Sequence, residues 1–299
     1  MSFRGLLTLC WTFVLYGQPA HSHTMTTIDA GRGPVQLMIP NGYSPSTPVP
    51  LVVSLHGYGG TGESYIDYWK KNGQVDARKF IVAAPSGKKN SKDRSFWNAT
   101  AACCDKDLSG VDDSQYLRAL IEAIETEYTI DPQSIHVTGY SNGGFMAHRM
   151  ACAHADKLAS IVSVAGAGIS KESSCNPDHP IHVLQVHGVD DGVIRYQGGG
   201  LKNFNSDVPI PHPSALQTVA FWAQKNSGPA QPTTVDPMDL SERTAGIDTE
   251  VIRYQSPGRP SGTVELWSIR GESHVPKLND NFHSKSIDWM LTHRKTSGR

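Results

Sequence analysis

Within "HVTGYSNGGFMAHRM", residues 136 to 150, Ser141 stands between Gly139 and Gly143 where a short apolar run gives way to a helical pattern. Glycines on either side of a serine at a strand-to-helix turn allow the sharp bend that lifts a nucleophilic hydroxyl above a sheet. A serine hydroxyl attacks only when a histidine accepts its proton and a carboxylate orients that histidine. In a nucleophile elbow the order along the chain is serine, acid, histidine, so both partners must follow Ser141, each in a loop after a strand. "IHVLQVHGVDDGVIRY" supplies Asp190 and Asp191 after one apolar run, and "VELWSIRGESHVPKL" supplies His274 after another. The residues alone leave the choice between the two aspartates open.

Attack on a carbonyl creates an oxyanion that needs fixed donors. One is expected from the backbone N–H of Asn142, the residue after the nucleophile, and the other from the loop "SLHGYGGTG", with Tyr58 as donor. That glycine-rich loop lacks the Lys-Ser/Thr ending of a phosphate-binding P-loop and the glycine spacing of a dinucleotide site. The remaining histidines read as strand, helix-face or loop residues; His56 and His187, each followed by glycine, shape loops near the site. Asp112 and Asp113 precede the serine and read as helix-cap residues.

The elements that must position these groups follow from hydropathy. "VPLVVSLHG", "FIVAAPSG", "SIHVTGYS", "LASIVSVAG", "IHVLQVHG" and "TVELWSIRG" are continuous apolar runs of the kind buried on both faces in a parallel sheet. Between them, Leu117, Leu120, Ile121, Ile124 and Tyr128 form one stripe of a helix capped near Asp112, and further helices are expected at 143–154, 213–226 and 281–293. Alternating strands and helices predict an α/β sheet with right-handed crossovers. The Pro- and Gly-rich stretches "QGGGLKNFNSDVPIPHP" and "NSGPAQPTTVDPMD" read as surface loops, one of them bordering the substrate site.

With 27 Lys and Arg against 28 Asp and Glu and no run of one sign, the chain lacks the footprint of a nucleic-acid or anionic-membrane binder. Residues 1–22 read as a secretory signal: Arg4, an apolar run from Leu6 to Tyr16 that is too short to span a bilayer, then Ala20 and Ser22. Residues 23–299 then form one exported catalytic domain with no membrane anchor. Export makes Cys103, Cys104, Cys152 and Cys175 an even set in an oxidising compartment, where disulfides persist. Of three pairings, Cys152 with Cys175 is favoured, since one lies on the helix after Ser141 and the other follows the next strand.

Taken together, "LHGYGGTG", "FWNATAACCDKDLSGVDD", "GYSNGGFMAHRMAC", "HGVDDGVIRYQGGG" and "ELWSIRGESH" resemble the secreted esterase family that contains polyhydroxybutyrate depolymerases and feruloyl and acetylxylan esterases. The resemblance runs from about Pro34 to Trp289. It implies an α/β-hydrolase fold with a mainly parallel sheet, no metal or organic cofactor, and a catalytic set of Ser141, Asp191 and His274. It also places Trp97 in the family's tryptophan segment before the double cysteine, either as a flat wall for an acyl chain or as a buried tryptophan packing the core. The expected substrate is a short hydroxyalkanoate polyester or oligoester, with hydroxycinnamoyl or acetyl esters on plant polysaccharide as the alternative. A serine peptidase of the same fold, or a binding protein on a disabled hydrolase scaffold, are weaker readings. Two departures bear on the acyl side: Arg195 and Tyr196 stand where Pro-Tyr is frequent, and Val275 and Pro276 where Trp-Pro is frequent.

Overall fold

The computed structural model describes residues 23–170, 174–203, 206–228, 231–254 and 262–295; the expected signal at 1–22 lies outside the described residues. In chain order the strands are β1 (Thr24–Asp29), β2 (Pro34–Ile39), β3 (Val49–Leu55), β4 (Ile81–Ala84), β5 (Lys88–Lys89), β6 (Ser95–Phe96), β7 (Ile130–Tyr140), β8 (Ser160–Val164), β9 (His182–Gly188), β10 (Gly199–Asn203), β11 (Ser206–His212), β12 (Pro232–Met238), β13 (Thr249–Tyr254) and β14 (Val264–Ile269). The helices are α1 (Gly62–Asn72), α2 (Gln74–Arg78), α3 (Asp113–Glu127), α4 (Asn142–Ala153), α5 (Ala215–Ser227) and α6 (Asp280–Thr292).

Ten strands form one sheet in the order β1-β2-β4-β3-β7-β8-β9-β14-β13-β12. The six from β4 to β14 run parallel, as the unbroken apolar runs predict, while β1, β2, β13 and β12 pair antiparallel at the two edges. Every residue of β9 and β14 is buried, because helices cover both faces. Alternation along β3 decides the layering. Leu51 and Val53 pack with Leu117 of α3, Phe145 of α4 and Trp222 of α5, whereas Val52 packs with Ile66 of α1, Val75 of α2 and Ile287 of α6. Since burying each such side chain contributes about 2 kcal/mol, slipping β3 by one residue would exchange two well-packed faces at once.

The helix ends also follow the sequence. Asp112 caps α3 by accepting the N–H of Gln115, and Ser214 and Gln217 close a reciprocal capping box on α5. Three expectations are corrected. Asp113 is not a cap: its carboxylate is buried, paired with Arg32, and accepts the N–H of Asn98 at 2.6 Å. The stretch read as a loop at 197–213 holds the β10–β11 hairpin, and that at 226–239 holds β12. Prolines at 209, 211, 232 and 237 suggested loops, but both strands are edge strands, where a missing N–H costs no ladder bond.

Candidate active site

Ser141 lies between β7 and α4 with φ 54° and ψ −117°, a region that residues with a Cβ seldom occupy. The neighbouring glycines permit it. A Cβ on Gly139 would stand 2.2 Å from the carbonyl oxygen of Gly143, and one on Gly143 would stand 2.3 Å from that of Leu55. The turn is anchored by the Ser141 N–H, which donates to Val164 O on β8 at 2.8 Å.

Ser141 Oγ is 2.9 Å from His274 Nε2, and His274 Nδ1 is 2.9 Å from Asp191 Oδ2. The three side chains come from loops after β7, β14 and β9. Asp191, not Asp190, faces inward: Asp191 is buried, whereas Asp190 is exposed and is held through its backbone N–H, which donates to Glu272 O at 3.0 Å. Asp191 Oδ1 accepts the N–H groups of Val193 and Ile194 at 2.8 and 2.9 Å. Burial alone would raise the Asp191 pKa, but hydrogen bonds from His187 and His274 more than offset it and hold the carboxyl below its ordinary range.

The histidine loop has its own buried organiser, which sequence reasoning missed. Glu272 is fully buried, accepts from Ser241 Oγ at 2.5 Å, pairs with Arg243 Nε at 3.1 Å and accepts the N–H of Lys277 at 3.0 Å. It thereby closes the turn around His274. Tyr140 Oη donates to His274 O at 2.8 Å from the other side. A glutamate two residues before a candidate base is the only trace this arrangement leaves in the sequence.

The backbone N–H groups of Tyr58 and Asn142 meet no protein acceptor among the described residues. Asn142 is buried at the start of α4, and its side chain is clamped across Trp97: Oδ1 accepts the Trp97 N–H at 2.8 Å and Nδ2 donates to Trp97 O at 2.9 Å. The Tyr58 ring is fixed by Asn90 Nδ2, which donates to Tyr58 Oη at 2.6 Å.

Of the two readings of Trp97, core packing holds and the substrate wall is corrected. Its indole is fully buried, packs 5.0 Å from the His56 ring and donates from Nε1 to His56 O at 3.0 Å. It braces the Tyr58 loop against Asn142 and offers no face to a substrate. His56 holds the same loop, with Nδ1 toward Gly57 O at 2.7 Å and Nε2 accepting the Gly87 N–H at 2.9 Å.

The apolar space beside the site lies elsewhere, in a cavity of about 330 Å³ between the sheet and α1 and α6. Tyr65, Tyr68, Trp69, Tyr140, Val275 and Pro276 line it, the last three adjoining Ser141 and His274 in sequence. The Trp69 Nε1 is buried and meets no acceptor among the described residues.

Two disulfides are formed. Cys152 on α4 pairs with Cys175, Cα atoms 5.4 Å apart, and Cys103 pairs with Cys104 beside Asn142, whose Nδ2 is 3.5 Å from Cys103 Sγ. No helix among the described residues is long and apolar enough to cross a membrane.

Residues 39–203 match the model of a family described as phospholipase/carboxylesterase, more than half of the chain. Similar curated proteins include a bifunctional acetylxylan esterase/xylanase of Neocallimastix patriciarum, 25% identical over 80% of this chain and 32% of that protein. Feruloyl esterase B of Piromyces equi is 27% identical over 81% of this chain and 42% of that protein. A probable feruloyl esterase C of Aspergillus terreus is 32% identical over 54% and 56%. The chain thus spans between a third and a little over half of the length of these relatives. Among solved structures, an acetyl xylan esterase from Aspergillus awamori superposes with a TM-score of 0.59 at 16% identity, covering 89% of this chain and 98% of that one. At that identity the likeness speaks for the fold.

Proposed function

Because this chain belongs to the phospholipase/carboxylesterase family and has the α/β-hydrolase fold, we propose that it is a secreted serine esterase that cleaves carboxylic esters through an acyl-enzyme on Ser141. The observation that carries this reading is the continuous hydrogen-bonded chain from Ser141 Oγ through His274 to Asp191.

In the proposed reaction His274 Nε2 takes the Ser141 proton as Oγ attacks the ester carbonyl. Asp191 keeps the tautomer with the proton on Nδ1 and stabilises the imidazolium that forms. The carbonyl oxygen, now negative, is met by the N–H groups of Tyr58 and Asn142, donors whose fixed backbone needs no reorganisation. Collapse expels the alcohol, which takes the proton from His274. A water molecule, deprotonated by the same histidine, then releases the acid and restores Ser141.

For the acyl group, the aromatic cavity beside the site favours a hydroxycinnamoyl ring. Similarity to feruloyl and acetylxylan esterases supports a polysaccharide-borne ester. A short hydroxyalkanoate oligoester is the second reading, favoured by Val193 and Val275, which are exposed on either side of the Asp191 and His274 loops. The two disulfides support an oxidising compartment and hence export.

The test is a panel of methyl ferulate, acetylated xylan, 3-hydroxybutyrate oligomers and a peptide amide, each with the native protein and Ser141→Ala. Preferred turnover of methyl ferulate, lost in Ser141→Ala, is expected. Turnover of the amide alone, or activity surviving the substitution, refutes the reading.

A further inference from the structure

A second buried histidine touches the acid of the catalytic set. His187 on β9 is 1% exposed, and its Nε2 is 2.7 Å from Ile194 O and 3.3 Å from Asp191 Oδ2. Ile194 O can only accept, so Nε2 carries a proton and donates it there, with Asp191 Oδ2 as the next acceptor. Ile194 in turn gives its N–H to Asp191 Oδ1 at 2.9 Å. His187 therefore grips the turn 191–194 at both ends.

His187 is the last of four residues joined by hydrogen bonds through the core. Trp222 Nε1 on α5 donates to His148 Nδ1 on α4 at 3.0 Å. His148 Nε2 is 2.9 Å from Gln185 Oε1, and Gln185 Nε2 is 3.1 Å from His187 Nδ1. The direction of every bond is determined. An indole N–H only donates, so His148 Nδ1 is bare and Nε2 protonated. Gln185 Nε2 also lies 2.9 Å from Gly166 O, an acceptor, which independently orients the amide. His187 Nδ1 is then bare and Nε2 protonated, in agreement with Ile194 O. Burial pushes the His148 pKa down to about 4, so this ring stays neutral at ordinary pH. All four donors point toward Asp191, and aligned hydrogen bonds in a dry interior polarise one another.

We infer that His187, aligned by Trp222, His148 and Gln185, is a positioning residue for Asp191, fixing its carboxylate and the turn after it in the orientation that His274 requires. Asp191 receives three hydrogen bonds, from His274 Nδ1 and from the N–H groups of Val193 and Ile194, and His187 Nε2 lies against Oδ2 as a fourth polar contact at 3.3 Å. The inference rests on the esterase reading for its catalytic consequence, but the hydrogen-bond polarity stands apart from it.

The tautomers are read by nitrogen NMR on the native protein labelled at histidine. His148 and His187 are both expected with a bare Nδ1 and a protonated Nε2; a protonated Nδ1 on either overturns the inference. Kinetics on p-nitrophenyl acetate then compare His187→Leu, which presents no donor, with His187→Gln, whose amide nitrogen reaches the same place. A hydrogen bond to a charged group is worth roughly tenfold or more in a rate, so kcat should fall about ten- to a hundredfold in His187→Leu with KM unchanged. His187→Gln should recover most of that loss. Equal activity in both variants, whether full or impaired, overturns the positioning role. If neither variant folds, Trp222→Phe, which removes the indole N–H together with part of the ring, replaces them: a mixed His148 tautomer and a lowered kcat support the inference, and an unchanged spectrum with unchanged kcat overturns it. Ser141→Ala separates the two readings, because turnover surviving in it refutes the esterase assignment while leaving the tautomers as they are.

Discussion

Gly188 and Glu272 meet backbone to backbone: a Cβ on Gly188 would stand 2.3 Å from the carbonyl oxygen of Glu272. This approach joins the strand end that presents Asp191 to the turn that presents His274. Gly188→Ala must therefore push the two loops apart. We expect it to cost about 1–3 kcal/mol of stability, as overpacking does, and to lower kcat far more than KM. Denaturant unfolding and ester kinetics on one preparation check both effects.

Ser141 sits in a conformation that costs about 1–3 kcal/mol for a residue with a Cβ. Ser141→Gly should relieve part of this and raise the unfolding free energy while abolishing turnover. Ser141→Ala keeps the Cβ, so it should be equally inactive without the stability gain. Thermal unfolding of the three proteins measures the difference.

Asp191→Asn is expected to lower kcat by about four orders of magnitude, through the wrong histidine tautomer. Asp190→Asn should leave kcat almost unchanged, because the exposed side chain is not what holds it. A single soluble ester assayed with both variants decides the matter; loss in Asp190→Asn instead would mean that the acid lies one residue earlier.

Three buried histidines outside the catalytic set make stability depend on pH. Burial pushes His136, His148 and His182 down to about 3, about 4 and about 4. Unfolded histidine titrates at about 6.5, so below that pH the unfolded chain binds protons that the native state refuses. The stability these residues contribute is full above about 6.5 and is lost as pH falls toward about 4. His136 hydrogen-bonds Ser134 and Ser160. Replacing it, as in His136→Asn, should flatten the fall of the unfolding midpoint across this window.

Val275 is exposed at the rim of the aromatic cavity. Val275→Trp should narrow its entrance and lower kcat/KM for methyl ferulate by about tenfold or more, the scale on which pockets discriminate. Turnover of an acetyl ester should change little. Equal losses on both esters would remove the cavity from the acyl site.

The parts of this site carried by local backbone chemistry were legible in the sequence. Gly139 and Gly143 announce a strained turn, and strand runs ending in "HGVDDG" and "RGESH" put an acid and a base on the same sheet edge. What depends on the far side of a residue was not. Trp97 has the composition of a substrate wall, yet its orientation is set by His56 and Asn142, which are distant in sequence. His187 read as a loop former because its partners on α4 and α5 come together only when the helices pack on the sheet. The hairpin β10–β11 was hidden because Pro209 and Pro211 are breakers inside a sheet but are tolerated on an edge.

That hairpin pairs with no strand of the ten-stranded sheet. Apart from Leu201 and His212, which pack on the core, its side chains can therefore vary without shifting the register of β9 or β14, the strands before Asp191 and His274. The molecule is in this sense modular: β10–β11 is the segment where randomised libraries, or natural drift, can explore new surfaces while the reaction centre is inherited intact.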